Sequence, residues 1–194
     1  MAIIVGIDPS LSSTGLCVAD TDTGKTHAAQ IDGHHSDCHL GERCRRIAAA
    51  VNQQIASSRL LDACDRIEVF IENPAGPLRG FAQDLPVLYW AIIMDLESDK
   101  FLYPTIYPVA SATLKKWLTG RGNAKPEDKV VAVLDKLKPM IPEQYIVSPE
   151  TKGGMMAFKD LYDGVALAAL GDCYLGGDGY SKAQRDAVAK VKSL

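Results

Sequence analysis

The chain has 194 residues, 47% apolar and 23% charged, which suits one folded domain with a real core and excludes wholesale disorder. Its longest uninterrupted apolar run, 87–94, is too short for a membrane-spanning helix, which needs about 20 residues. A net charge of −3 gives no strong overall field for nucleic acid, but it is unevenly spread: seven Lys or Arg face three acids in 111–140, whereas 1–40 holds five Asp and one Lys. Five cysteines, an odd count at irregular spacing, suit reduced thiols. The opening Ala2-Ile3-Ile4-Val5-Gly6-Ile7-Asp8 lacks a secretory pattern, so the expected compartment is a cytoplasm.

In chain order, the β-branched run 3–8 and the segment 15–19 read as strands separated by turn residues, and 26–31 is a third, so the chain opens as an antiparallel meander. Between about 40 and 58, Ile47, Val51 and Ile55 recur every four residues and predict an amphipathic helix. Residues 67–71 form a buried strand that Glu72-Asn73-Pro74 stops at a rim. The stretch 86–96, apolar nearly all round, predicts a buried or interface-forming helix. A strand over 105–109 is followed by a short helix bearing Lys115, Lys116 and Trp117, broken at Gly120-Arg121-Gly122-Asn123. Pro126 with Glu127 and Asp128 opens another helix, closed by Lys136, Lys138 and Pro139. An irregular loop over 140–156 with a Gly153-Gly154 hinge precedes a last helix, about 158–175, and 182–194 reads as a mildly basic helical tail. This alternation implies an α/β domain with a mixed sheet whose strand order is not derivable.

Four acids fall where α/β sites form. Asp8 and Glu72 end strands, and Asp160 and Asp163, three apart on an apolar helix, share one face. Taken singly, Asp8 is a turn former before Pro9, Glu72 a strand-end acid, and Asp160 and Asp163 a helix-start pair. Together they would suit hard divalent ions: Mg²⁺, or Mn²⁺, takes a few carboxylates, and two ions can drive phosphodiester hydrolysis. His34, His35, Cys38, His39 and Cys44 fit no standard zinc spacing and read as a polar loop.

In this order the motifs Ile4-Val5-Gly6-Ile7-Asp8-Pro9-Ser10 with Ser13-Thr14-Gly15, Phe70-Ile71-Glu72, and Asp160-Leu161-Tyr162-Asp163-Gly164-Val165-Ala166-Leu167-Ala168 resemble those of RuvC-type Holliday junction resolvases of the RNase H-like superfamily. The resemblance implies an RNase H-like α/β domain over 1–175, a five-stranded mixed sheet flanked by helices, with 176–194 as a C-terminal tail. It implies a homodimer that cuts branched DNA, four-way junctions above all, in the cytoplasm of a bacterial cell or a phage-infected host. Asp8, Glu72, Asp160 and Asp163 would be the catalytic residues and metal ligands, holding two Mg²⁺ ions per site with Mn²⁺ as a substitute. Lys115, Lys116, Arg121, Lys125 and Lys129 would contact backbone phosphates. Ser10 stands where the family usually has glycine, and the chain is acidic, which is compatible with a less selective, phage-type relative. Phe81 is a candidate for stacking on a base. Two other functions are open: a branched-DNA binding protein without turnover on the same fold, and an actin-like kinase or ATPase, for whose second lobe the chain has no room.

Overall fold

The computed structural model describes residues 2–33, 38–58, 60–61, 66–74, 84–98, 103–146 and 156–194. Phe81, His34, His35 and the Gly153-Gly154 pair lie outside them. Five strands form one sheet among the described residues: β1 (Ala2–Asp8), β2 (Ser13–Asp20), β3 (Thr26–Asp32), β4 (Arg66–Asn73) and β5 (Thr105–Ala110), in the order β3-β2-β1-β4-β5. The expected meander is there, β1 to β2 and β2 to β3 antiparallel, while β4 and β5 run parallel to β1. The fold is therefore the α/β class with a mixed sheet that the motifs imply.

Side-chain alternation along the strands separates two helix layers. Ile3, Val5 and Ile7 of β1, with Ile67, Val69 and Ile71 of β4, pack on α1 (Leu40–Ser57) and α2 (Leu85–Ser98). The four-residue rhythm of α1 is the buried stripe Cys44, Ile47, Ala48, Val51 and Ile55. Ile4 and Phe70 face the other way, toward α3 (Ser111–Thr119), α4 (Pro126–Lys136), α5 (Lys159–Tyr174) and α6 (Lys182–Val188). Thirteen of the sixteen residues of α5 are buried, so this helix is the axis of the second layer. Gly120, at φ 79°, closes α3 in the left-handed conformation that glycine adopts without strain.

The stretch after α4 contains two short 3₁₀ turns, Lys138–Met140 and Glu143–Tyr145, where the sequence reading has a loop beginning at 140. Turns of three residues leave no apolar period to read. Past α5, Ser181 and Gln184 cap α6 reciprocally, Ala187, Val188 and Val191 enter the core, and the Leu194 N–H donates to the Ile106 carbonyl at 2.8 Å. Cys17, Cys44 and Cys173 are buried thiols without disulfides. No helix among the described residues is long and apolar enough to cross a membrane.

Candidate active site

Strand register dictates where the acids meet. In a parallel pair, partners point to the same side; Gly6 pairs with Phe70 and Ile7 with Ile71, so Asp8 and Glu72 emerge together on the α5 side, at the carboxyl ends of adjacent strands. The sheet order reverses direction at β1, where ligand crevices of α/β sheets form. The first turns of α5 arrive at this point because glycines allow helix and strand backbones to touch. A Cβ on Gly15 would lie 1.7 Å from the Asp160 carbonyl oxygen, and one on Gly6 would lie 2.1 Å from that of Gly164. Asp160 and Asp163, 4% and 6% exposed, are thereby pressed toward Asp8.

All four carboxylates line one pocket of about 350 Å³, with Pro9, Ser10, Leu85, Pro126, Lys129, Val130, Met156 and Lys159. Burial, then repulsion by Glu72, Asp163 and Asp160, pushes the Asp8 carboxyl well above its ordinary range. Burial also raises Glu72 and Asp163, against the opposing pull of Lys129. One Glu72 oxygen, Oε2, is buried without a hydrogen-bond partner; the Ser111 hydroxyl bonds to this carboxylate.

Two ammonium groups stand among the acids. Lys129 of α4 donates to Asp163 Oδ2 at 2.5 Å, and Lys159 of α5 is paired with Asp160 Oδ1. Burial pushes both lysines down, but the surrounding carboxylates outweigh it and hold them protonated. Among the described residues, no three His, Cys, Asp or Glu stand arranged to hold a metal ion as they are. The donor set nonetheless fits a hard divalent ion: it is all oxygen, anionic, held on rigid elements, and includes an unsatisfied buried carboxylate atom.

The loop after Asp8 is fixed from two sides. Thr14 Oγ1 donates to the Ser10 carbonyl at 2.9 Å and accepts from the Ser10 N–H at 3.2 Å, while Arg43 of α1 donates to the carbonyls of Leu11 and Gly33. Ser10 needs no glycine conformation, because Tyr103 is the one non-glycine residue with positive φ among those described.

The basic residues divide. Lys116, Arg121 and Lys125 are exposed at the α3–α4 corner, and Lys115, half-buried, is close enough to pull on Glu72. Arg121 lies 3.5 Å from Asp128. Lys129, grouped with these by sequence, is only 7% exposed and points into the pocket. Lys159 and Ser111 belong to the site but carry no motif; a lysine directly before the first acid of an apolar helix is the only signal for the former. Cys44 is core, and Cys38 and His39 flank the start of α1.

No family model and no curated protein sequence matches the chain. Solved structures do. A structure of Thermus thermophilus RuvC aligns with a TM-score of 0.61 at 19% identity, covering 99% of both chains. Another, of T. thermophilus RuvC in complex with a Holliday junction substrate, aligns at 0.62 and 16% identity over the full length of both. The chain has the RuvC fold. Its full-length correspondence to RuvC includes the last helix and the C-terminal segment that returns to β5.

Proposed function

We propose that this chain is a metal-dependent endonuclease that hydrolyses phosphodiester bonds in Holliday junctions or other branched DNA. The observation that carries this reading is the meeting of Asp8, Glu72, Asp160 and Asp163 in one pocket at the switch point of the sheet. These residues would hold Mg²⁺ or Mn²⁺, two ions per site, and such ions supply water activation and neutralisation of the leaving oxygen. The protein's own part is placement. The β1 and β4 ends and the α5 start fix the carboxylates, the Thr14 and Arg43 contacts hold the loop beside Asp8, and the surface cations position the DNA backbone. Its workplace is then a compartment that contains DNA, the cytoplasm.

The decisive assay incubates a synthetic four-way junction, a Y-fork and a linear duplex with the protein and either metal. Symmetric paired nicks in the junction are the expected result. Binding without nicks on any substrate in either metal would instead make the chain a branched-DNA binding protein.

A paired cut across a symmetric junction calls for a dimer. On α2, Val87, Trp90 and Met94 recur at helical spacing and are 45%, 53% and 67% exposed, while Leu88, Tyr89, Ile92, Ile93 and Leu96 fill the core on the other side. Such an apolar stripe suits a second copy of the chain. Light scattering should give a dimer mass for the wild type and a monomer mass for Trp90→Glu, with unfolding temperature little changed.

The exposed cations should act through phosphate. Replacing Lys116, Arg121 or Lys125 by Gln is expected to weaken junction binding in all sequence contexts, and to lower the slope of log affinity against log salt by about 0.9 for each phosphate no longer neutralised. Fluorescence anisotropy across a salt series checks this.

A further inference from the structure

Charge balance in the pocket points to a role for its two lysines that phosphate binding does not cover. Four carboxylates and the ammonium groups of Lys129 and Lys159 line the same space. The Lys129–Asp163 pair is nearly sealed, its side chains 9% and 8% exposed, whereas Lys159 is 46% exposed where it meets Asp160. Fully ionised, the six groups sum to a formal −2. Two divalent ions would neutralise four carboxylates completely, so with both lysines still in place the pocket would carry +2. Uncompensated charge of that size in a mostly buried space is costly.

Resting on the metal-dependent reading above, we propose that Lys129 and Lys159 are resident counter-ions: in the DNA-free protein their ammonium groups stand where cations belong, and divalent ions must expel them to reach Asp163 and Asp160. This accounts for acids that share a pocket and yet present no ready-made ion site. The pairing keeps like charges together while the site is idle. Once expelled, each ammonium is free to pair with a DNA phosphate, so ion entry and phosphate capture favour one another. Lys159, half-exposed, can swing outward alone; Lys129 leaves only if its side chain rearranges along α4.

The test uses the full chain without DNA. Free Mn²⁺ is followed by electron paramagnetic resonance during titration of the wild type, Lys159→Gln, Lys129→Gln and, as a surface control, Lys116→Gln. Removing either pocket lysine should tighten Mn²⁺ binding about tenfold, with the control unchanged. Structural damage would loosen binding, so tightening cannot come from misfolding. Reductive methylation of the wild type, read by mass spectrometry, needs no variant: Mg²⁺ should speed labelling of Lys129 and leave Lys116 unaffected. Should Lys129→Gln fail to fold, Lys159→Gln and the labelling carry the test. Equal Mn²⁺ affinity in all four chains, or labelling of Lys129 indifferent to Mg²⁺, overturns the counter-ion role alone. Absence of Mn²⁺ binding by every chain overturns the metal-dependent reading with it.

Discussion

Asp8→Asn is expected to stop strand cutting while making the metal-free protein more stable. The two effects have one cause. Asp8 sits at the focus of the acidic pocket, and burial together with the charges of Glu72, Asp163 and Asp160 makes its ionised form unfavourable. Asparagine keeps the shape and removes the charge. At neutral pH without divalent ions, the unfolding temperature should rise by about 3 °C or more, since 1 kcal/mol is worth about 2–4 °C in a chain of this size. A metal site lacking this ligand loses several kcal/mol of transition-state stabilisation, so junction nicking should fall by about a thousandfold or more. Junction binding should persist, because the exposed cations are untouched. A variant that is less stable and still cuts would show Asp8 to be a structural acid.

The same electrostatics set the pH dependence of the DNA-free fold. Asp8, Glu72 and Asp163 titrate above their ordinary values of 3.8, 4.5 and 3.8, so between those values and the raised ones the native state binds more protons than the unfolded state. Stability therefore declines as pH rises from near 4 through the folded-state values. Lys129 and Lys159 work in the opposite sense: their raised values stabilise the fold at every pH below their ordinary 10.5. In Asp8→Asn the decline should be shallower, which thermal unfolding at several pH values measures.

How much of this is legible in the sequence follows from which interactions are local. The meander, the four-residue stripe of α1 and the proline start of α4 are written in neighbouring residues, and each is found at its expected place. The strand order is not, because β4 reaches β1 across a helix and a whole meander. The four acids can be gathered only through motif likeness. Spacing alone places Asp160 beside Asp163 but says nothing of Asp8, and their convergence depends on the parallel β1–β4 register. Lys129 escapes a sequence reading for a related reason: its direction is decided by how α4 docks on α5, which leaves no trace in the composition of 111–140.

The geometry that sequence motifs reveal least is the contact of α5 with the sheet, and Gly15→Ala should expose it. Gly15 lies in β2 opposite Asp8, and its backbone lies against the first turn of α5. An added Cβ would fall 1.7 Å from the Asp160 carbonyl oxygen and 2.7 Å from the Leu161 nitrogen, distances that real Cβ atoms do not adopt. Neither atom belongs to a flexible side chain, so the helix itself must shift. That breaks packing in the best-buried of the described helices, and a loss of about 3 kcal/mol or more is expected, read as a lower denaturation midpoint in urea. Asp160 would move with its backbone. Hence any fraction of Gly15→Ala that remains folded should also bind Mn²⁺ more weakly, the reverse of the change expected on removing a pocket lysine. Alanine at Gly24, where an added Cβ meets nothing within 4 Å, is the matched control: its φ of +67° costs some backbone strain in a turn but leaves α5 and Mn²⁺ binding as they are. Unaltered stability and ion affinity in Gly15→Ala would mean that α5 is not held against β2 as the glycine contact requires.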